Sequence, residues 1–300
     1  MQDQKVSLVI PTLNAGEDIE RLLTKLQAQT RALDEVLVVD SASDDETADR
    51  VKAFAGRSTL PIRLQVINRA DFDHGGTRHA ALLQTTGDFV LFMTQDAVPA
   101  NNRYVERLLA PFDDPSVAVS SGRQLPKPDA RRFEQLVRGF NYPEHSFVRG
   151  KEDLQTYGIK TFFTSDVCSA YRRSAYMEVG GFLRPCNMSE DMQIAARLVA
   201  AGYRVAYAAE AEVLHSHNLT PGQQYKRNYA VGSFLETNAD VLMGASEIGE
   251  GGKLVKQVSK QLLKEGRLGE FCSFGIDCVA RLAGNRKGRA DARKAQKAGK

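Results

Sequence analysis

The first hundred residues alternate short apolar runs with segments of helix length. The runs are rich in β-branched residues and occupy residues 5–10, 35–40, 62–67 and 88–93. Runs that are apolar at nearly every position are typical of strands that a parallel sheet buries on both faces. The segment at 17–29 repeats aliphatic residues at helical spacing, namely Ile19, Leu22, Leu23 and Leu26. The pattern predicts an α/β fold whose ligands bind at the carboxyl ends of the strands.

The second part of the chain alternates less regularly. A strand is predicted at 117–122, and the segment QLPKPDARR then interrupts with two prolines, which mark a loop or a boundary. A helix from Glu190 to Ala201 and a strand at 204–210 follow. We expect a mixed sheet here, with a surface that faces an acceptor.

From Thr220 the pattern becomes helical. Thr220 and Pro221 suit the cap and first turn of a helix, and further helices are predicted at 253–264 and 268–282. The last residues are basic and are predicted to be disordered. The predicted organisation is a domain at 1–218, a helical region at 219–284 and a tail at 285–300. Within the domain, a regular α/β half at 1–122 is followed by a less regular half at 123–218.

Composition narrows the class of protein. The chain has 300 residues, 42% of them hydrophobic, and a net charge of +3, which favours a soluble globular protein and argues against a nucleic-acid partner for the whole chain. The four cysteines show no CxxC spacing and no signal peptide is evident, so we expect a reducing cytoplasm. No apolar stretch approaches the roughly 20 residues that span a bilayer. The chain can therefore lie on a membrane but is not expected to cross one.

Polar residues stand at the ends of the predicted strands. The first strand ends in PTLN, with Pro11 and Thr12, the second ends in Asp40, and the fourth ends in TQDA. An aspartate in that place accepts hydrogen bonds from a ribose hydroxyl or a base N–H, but Asp40 also suits a cap for the loop SASDDET. Neither a Gly-rich dinucleotide fingerprint nor a Walker sequence is present, so NAD and P-loop sites are not supported.

Several motifs together resemble a known family. SLVIPTLNAGEDIERLLTKLQAQT, EVLVVDSASDDET, TGDFVLFMTQDA and SEDMQIAARLVAAGYRV, in this order, are similar to glycosyltransferase family 2, the inverting enzymes with the GT-A fold. The resemblance covers residues 5 to 218 and implies that the domain at 1–218 is catalytic. It makes residues 1–122 the nucleotide-binding half and residues 123–218 the acceptor half. FDHGGTRHAA and TQDA resemble the rhamnosyltransferase branch, which uses dTDP-L-rhamnose to build O-antigens. The fold it implies is a Rossmann-like, mostly parallel sheet with helices on both faces, followed here by C-terminal helices.

The resemblance implies a nucleotide-sugar site. Pro11, Thr12 and Asp40 fall where family members hold the nucleotide, and Gln95 belongs to the same site. Arg78 falls near the donor diphosphate, where a guanidinium pairs bidentately with phosphate oxygens. The alternative for Arg78 is a solvated arginine on a helix.

The resemblance also implies a divalent metal, Mg²⁺ or Mn²⁺. The family has Asp-x-Asp at the end of the fourth strand, whereas this chain has Thr94-Gln95-Asp96, so only the second carboxylate, Asp96, is present. His215 or His217 falls where family members add a ligand. A carboxylate fewer is expected to weaken the affinity for the ion, because hard cations bind through oxygen charge.

The catalytic base implied by the family is the aspartate of the Glu-Asp pair in SEDMQ, which is Asp191. Glu190 beside it is expected to support the base by raising its pKa through like-charge repulsion. The alternative is an acidic pair that stabilises the start of the following helix. His74 and His79 suit either contact with the sugar or the start of a helix, and the sequence does not decide between these. Asp166 and Tyr171 are candidates for lining an acceptor cleft, and packing of a core strand explains this segment equally well.

The expected function is inverting transfer of L-rhamnose from dTDP-β-L-rhamnose to a lipid-linked oligosaccharide or polysaccharide of a bacterial surface, which forms an α-linkage. A UDP-hexose donor and a non-catalytic scaffold are the alternatives. The C-terminal helices place lysines opposite Leu, Val and Phe, which suits either the inner face of the cytoplasmic membrane or a homodimer.

Overall fold

The computed structural model describes residues 4–186, 188–245 and 250–298. The strands are β1 (Val6–Thr12), β2 (Glu35–Asp40), β3 (Ile62–Val66), β4 (Phe89–Met93), β5 (Val98–Pro99), β6 (Val117–Leu125), β7 (Phe147–Arg149), β8 (Cys168–Arg172) and β9 (Arg204–Leu214). The α-helices are α1 (Ile19–Gln27), α2 (Thr47–Ala55), α3 (His74–Leu83), α4 (Tyr104–Leu109), α5 (Arg132–Asn141), α6 (Leu154–Tyr157), α7 (Arg173–Glu178), α8 (Glu190–Ala200), α9 (Pro221–Thr237), α10 (Glu250–Lys264) and α11 (Leu268–Ala298).

One half of the sheet is parallel. The strands lie in the order β3-β2-β1-β4-β8-β6-β9-β5, and the pairs among β3, β2, β1 and β4 are parallel. In the register of β1 and β2, Thr12 lies opposite Asp40. The carboxyl ends of these strands therefore meet at one edge of the sheet, as the apolar runs predict.

The other half of the sheet is antiparallel. Strand β8 pairs antiparallel with both β4 and β6, and β9 pairs antiparallel with β5 and β7. This confirms the mixed sheet expected from the irregular alternation in the second part of the sequence. Because β8 runs against β4, the segment that precedes β8 lies at the same edge as the end of β4. Residues near 166 are thus brought to the edge where the parallel strands end.

The core follows the apolar pattern of the sequence. The helix α1 buries the four aliphatic residues that its spacing places on one face, which are Ile19, Leu22, Leu23 and Leu26. They pack in one cluster with apolar residues of β1, β2, β4 and α4. Burial of aliphatic side chains against a sheet supplies most of the stability of such helices, since a nine-residue helix is marginal in isolation.

The chain divides into two compact units. The first comprises residues 1–124, 143–153 and 161–215, and the second comprises residues 125–142, 154–160 and 216–300. The predicted acceptor half at 123–218 is therefore not one continuous piece. Helix α5 belongs to the second unit because Phe133 and Val137 share a core with Val258, Leu262 and Phe274 of α10 and α11.

The prediction of a disordered basic tail is wrong for residues 285–298, which continue helix α11. Small buried residues explain the helix, because Gly284, Gly288 and Ala292 recur every four positions and line one face. A Cβ atom at Gly288 would collide with the carbonyl oxygen of Tyr229 in α9, so glycine allows the two backbones to approach closely. Contact with α9 stabilises a segment that is too polar to be helical alone.

The C-terminal helices leave apolar side chains uncovered. On α10, Val258 and Leu262 are buried in the core of the second unit, so its apolar face is only partly free. On α11, four residues form what we call the α11 stripe: Leu268, Ile276, Val279 and Leu282, which are 53–68% exposed. None of the helices in the described parts of the chain is long and apolar enough to cross a membrane.

Candidate active site

Asp40 is held firmly at the end of β2. Its Oδ1 accepts hydrogen bonds from the hydroxyl groups of Thr12, at 2.9 Å, and Ser43, at 2.5 Å, and its Oδ2 accepts from the N–H of Ser43. The carboxylate therefore caps the loop that follows β2, as the simpler interpretation of the sequence has it. Pro11 and Thr12 stand at the end of the neighbouring strand. Contact of these three residues with a nucleotide stays a prediction.

The loops after β1 and β2 are bonded to each other. Asn14 accepts a hydrogen bond from the N–H of Asp44, and Asp45 accepts one from the N–H of Gly16. Two residues that are not glycine, Asn14 and Ala42, adopt left-handed backbone conformations with φ of 52° and 51°. Such conformations persist where the surroundings enforce them, and they are frequent at binding sites.

A cavity of about 410 Å³ opens at the ends of β2 and β3, beside the loop that Asp40 caps. Its volume is in the range of sites that hold small ligands. Both apolar and polar side chains line it, among them Val39, Ala42, Val66, Asn68, Asp71 and Thr77.

Gln95 joins two strand ends. Its side-chain oxygen accepts a hydrogen bond from the N–H of Leu13 at 2.7 Å, and its side-chain nitrogen donates to the carbonyl of Leu13 at 2.9 Å. Both ends of the amide are thus occupied by the backbone of the loop after β1. Gln95 thus joins the end of β4 to the end of β1. The sequence predicted contact of Gln95 with the nucleotide sugar and did not predict this contact with the backbone.

Asp96 lies against His215. The Oδ2 atom of Asp96 and the Nε2 atom of His215 are 3.4 Å apart, and both side chains can offer a ligand atom to a metal ion. Nδ1 of His215 lies 2.9 Å from Oε1 of Gln124, which suits donation from Nδ1–H and leaves the Nε2 lone pair directed toward Asp96. His217 follows two residues later and is exposed. A carboxylate oxygen and an imidazole nitrogen are ligands suited to Mn²⁺ or Mg²⁺.

Asp191 and Glu190 open helix α8. The preceding residue, Ser189, has a left-handed backbone with φ of 58°. Oδ1 of Asp191 accepts a hydrogen bond from the N–H of Met192 at 2.7 Å. Burial, together with the nearby charge of Asp166, raises the pKa of Asp191 to about 6. A carboxylate with this pKa is ionised at neutral pH and is a better proton acceptor than an ordinary aspartate.

Arg78 forms a buried ion pair with Glu190. Its Nη1 atom donates to Oε1 of Glu190 at 2.9 Å, and it also donates to the carbonyl of His74 at 3.2 Å. Both members of the pair are buried. The structure thus gives Arg78 a different partner from the predicted diphosphate, and a phosphate contact would require this ion pair to open. The alternative of a solvated arginine is wrong, because Arg78 is only 4% exposed.

Asp166 and Tyr171 are buried beside this ion pair rather than open to an acceptor. Asp166 is 3% exposed and Tyr171 is inaccessible. The hydroxyl groups of Tyr171 and Ser169 donate to Oδ1 of Asp166 at 2.8 and 2.7 Å. The main-chain N–H of Asp166 points to Oδ2 of Asp191 at 3.4 Å. The prediction that both side chains line an acceptor cleft is corrected, because their polar atoms are turned inward.

His74 begins helix α3 next to Arg78. The ring nitrogen Nδ1 of His74 lies 3.2 Å from Nη1 of Arg78, and burial and this charge lower the pKa of His74 to about 4. The ring is therefore neutral at physiological pH. His79, which the sequence left undecided, is buried and lies 2.9 Å from the hydroxyl of Tyr176. His79 is a packing residue, whereas a contact of His74 with the sugar stays a prediction.

Gln124 and Ser169 were not found from the sequence. Gln124 orients the His215 ring, but it is neither charged nor part of a recognisable motif. Ser169 donates to Asp166 from within a strand. Neither lies in a spacing that suggests chemistry. The place of β6 beside β9 brings Gln124 to His215, which is 91 positions away, whereas Ser169 is only three positions from Asp166.

Comparison with known proteins agrees with this arrangement. The family model "Glycosyl transferase family 2" matches residues 7–180, more than half of the chain. The chain belongs to this family. The glycosyltransferase is 40% identical over 264 residues to the O-antigen chain rhamnosyltransferase RfbN of Salmonella typhimurium, with 87% of this chain and 82% of that protein covered. It is also 40% identical to the O-antigen chain rhamnosyltransferase WbaN of Salmonella anatum, with 86% and 81% covered.

Solved structures agree with the fold. The mannosyltransferase PcManGT of Pyrobaculum calidifontis, solved in complex with GDP-Man and Mn²⁺, has a TM-score of 0.68 to this glycosyltransferase. The likeness covers 96% of this chain and 88% of that chain at 17% identity. The predicted GT-A fold is thereby confirmed, with the difference that the sheet is mixed rather than mostly parallel.

Proposed function

We propose that this glycosyltransferase transfers L-rhamnose from dTDP-β-L-rhamnose to a hydroxyl group of a bacterial surface polysaccharide, with inversion at the anomeric carbon. The assignment of the sugar is supported by the two Salmonella relatives, whose names state rhamnosyl transfer in the O-antigen chain. The mechanism is supported by the half-buried Asp191 carboxylate at the start of α8, which accepts from the N–H groups of Asp166 and Met192 and whose pKa burial raises to about 6. Inversion of a β-donor yields an α-linkage.

Asp191 acts as the general base of a single displacement. The acceptor oxygen attacks the anomeric carbon, the bond from that carbon to the phosphate oxygen breaks, and the electron pair leaves with dTDP. The proton of the acceptor hydroxyl moves to the Asp191 carboxylate. Glu190 and Arg78 are positioning residues, because their buried ion pair fixes the first turn of the helix that carries Asp191.

Asp96 and His215 would hold a divalent metal, Mn²⁺ or Mg²⁺, with His217 as a further ligand that the family pattern implies. The opposed Asp96 oxygen and His215 nitrogen support this proposal, as does the Mn²⁺ in the PcManGT complex. When bound, the ion neutralises charge on the departing diphosphate. The residues of this chain fix the ligands, since Gln124 orients the His215 ring.

The nucleotide occupies the ends of β1 and β2. Asp40, with Pro11 and Thr12 beside it, contacts the base or the ribose. Hydrogen bonds between the loops after β1 and β2 hold these residues in place before the nucleotide binds. Gln95 maintains this site by holding the loop after β1 against the end of β4. The nearby cavity offers further space at the same edge of the sheet.

We further propose that the enzyme works on a lipid-linked acceptor at the inner face of the cytoplasmic membrane. The α11 stripe is apolar and exposed, and the same helix carries basic residues farther along, among them Arg286 and Lys287. An apolar stripe next to cationic side chains suits the boundary between acyl chains and anionic headgroups. A homodimer through the same stripe is the alternative that an experiment must separate.

A donor panel tests the proposed reaction. Purified enzyme with Mn²⁺ is given dTDP-L-rhamnose or UDP-glucose, with a synthetic lipid-linked oligosaccharide as acceptor, and release of the nucleoside diphosphate is measured. We expect kcat/KM for dTDP-L-rhamnose to be larger by about 100-fold, because selection between donors depends on differential binding in the transition state. The product should carry an α-rhamnosyl linkage by NMR.

Two outcomes of the panel would contradict the proposal. Equal or faster turnover of UDP-glucose would favour a UDP-hexose enzyme of the same fold. No turnover of either donor by folded protein that still binds anionic vesicles would favour the non-catalytic scaffold. The presence of Asp40, Asp96 and Asp191 at one edge of the sheet argues against a scaffold, because such a protein has no chemical need for these three carboxylates.

A further inference from the structure

Asp166 is a buried carboxylate that the reaction described so far does not use. Its Oδ1 atom accepts two hydrogen bonds from hydroxyl groups, those of Ser169 and Tyr171. Its Oδ2 atom is also buried and has no hydrogen-bond partner within residues 4–186, 188–245 and 250–298. Burial of an unpaired carboxylate costs free energy of folding. A protein that keeps one therefore has an opposite charge nearby or needs the negative charge for its function.

The charged and titratable groups around Asp166 belong to the proposed base. Burial raises the pKa of Asp166, while Arg78 and the hydroxyl groups of Ser169 and Tyr171 oppose this by favouring its ionised form. Tyr176 faces the same interior. Asp191 is faced by Asp166, Arg78, Glu190, Tyr171 and the thiol of Cys186. Three carboxyl groups thus share one guanidinium, and the two hydroxyl donors single out Asp166 as the one best stabilised as an anion.

We infer that Asp166 is a positioning residue that orients Asp191 through its main-chain N–H and holds a fixed negative charge beside it. This inference rests on the proposed function, in which Asp191 is the base. The charge has a direct consequence for proton transfer. An anion close to Asp191 makes its ionised form less favourable, so Asp191 binds the acceptor proton more strongly than it would alone.

The substitution Asp166→Asn separates this role from packing. It keeps the size of the side chain, one oxygen that can accept from Ser169 and Tyr171, and the main-chain N–H that points to Asp191. It removes the charge by replacing the other oxygen with an amide NH2. Activity requires ionised Asp191, so kcat/KM rises with pH through the pKa of Asp191. Without the neighbouring anion that pKa falls, and we expect the acidic limb of the pH profile to move to lower pH by about one unit. Well above that limb, kcat should stay within about tenfold of wild type.

Asp277→Asn is the matched control. Asp277 is also 3% exposed and is also hydrogen-bonded, to Gln224 and Arg281, but it lies in the second unit. The same chemical change there should leave the acidic limb where it is. If Asp166→Asn does not fold, Ser169→Ala is the second variant. It removes one donor to Asp166 and should move the limb in the same direction by a smaller amount.

A second readout does not depend on the donor. Protein labelled with ¹³C at its aspartate carboxyl carbons is titrated by NMR without substrate, and the Asp191 signal is assigned by its loss in Asp191→Asn. Its midpoint should be lower in Asp166→Asn than in wild type. If wild type does not use dTDP-L-rhamnose, the proposed function fails while this titration still decides the role of Asp166.

The inference is overturned if both the NMR midpoint and the acidic limb are the same in Asp166→Asn and wild type. It is also overturned if the variant raises KM for the acceptor while the limb stays in place, since that pattern belongs to a residue that contacts the acceptor.

Discussion

Carboxylates at one edge of the sheet have different surroundings and therefore different chemistry. Asp40 accepts three hydrogen bonds from Thr12 and Ser43, which suits a fixed acceptor. Asp96 faces an imidazole nitrogen, which suits a metal ligand. Asp191 has a pKa of about 6, which suits a base. One residue type is thus suited to three different roles because burial and neighbours differ.

The proposed metal site makes different predictions for Thr94 and Asp96, the first and third residues of the motif. Asp96→Ala removes a charged ligand, so we expect kcat/KM with Mn²⁺ to fall by roughly 100-fold and Mn²⁺ binding, measured by EPR, to weaken in parallel. Thr94→Ala removes a hydroxyl whose oxygen is buried and has no hydrogen-bond partner among the described residues. It should change both quantities by less than about threefold.

Treatment with a chelator, together with the variants Asp96→Ala and Thr94→Ala, shows whether transfer needs a metal ion bound by Asp96. Excess EDTA should abolish transfer by wild type, and Mn²⁺ should restore it. Equal losses in Asp96→Ala and Thr94→Ala, or full activity in EDTA, would mean that the metal is misplaced or not needed.

Single residues were predictable from the sequence where the strand ends fixed their place. Asp40 and Asp96 follow buried apolar runs, and the topology of parallel strands brings them to one edge. The partners of these residues were not predictable. Arg78 and Glu190 are 112 positions apart, and nothing local in either segment indicates that they form an ion pair. Gln95 likewise contacts Leu13, which is 82 positions away. The partners of the Asp166 side chain, Ser169 and Tyr171, are near in sequence, but their spacing does not show that all three turn inward.

For the secondary-structure elements, the spacing of apolar residues and the capping residues predicted the helices correctly, whereas the basic composition of the C-terminal segment did not. Helix α8 begins at Glu190 as predicted, and Thr220 caps α9 with a complete capping box. The basic composition after residue 284 suggested disorder, but the buried glycines of α11 fit against α9. A small-residue spacing within a charged segment was the signal that could have shown the helix.

The α11 stripe makes a prediction about membrane binding. We expect the protein to co-sediment with vesicles that contain phosphatidylglycerol, and to do so less at high salt, because cationic side chains contribute to the binding. The double substitution Ile276→Glu and Val279→Glu should lower the binding by at least about tenfold, since it places charges where apolar side chains enter the interface.

Leu83→Glu is the control for this experiment, since Leu83 is an exposed apolar residue, 52% accessible, on a helix of the first unit. It should bind vesicles like wild type. If wild type ignores all vesicles and forms a dimer that the double substitution dissociates, the stripe is a subunit interface instead.

For the whole molecule, the order of motifs along the chain carried most of the information. The pattern of strands and helices predicted an α/β sheet, and the motifs predicted the family that the comparisons show. The division into units was less predictable, because α5 lies in sequence within the first unit but packs on C-terminal helices. Such packing depends on which apolar faces meet, and spacing along the chain does not specify that.

The central claim is that Asp191 accepts the proton of the acceptor during rhamnosyl transfer. The most direct measurement compares wild type and Asp191→Asn for transfer from dTDP-β-L-rhamnose, with donor affinity measured by calorimetry on the same samples. We predict that kcat falls by about 10²- to 10⁴-fold, because amide nitrogen and oxygen cannot take up the proton, while the Kd of the donor changes little. Residual turnover within about tenfold of wild type, with donor binding intact, would contradict the account.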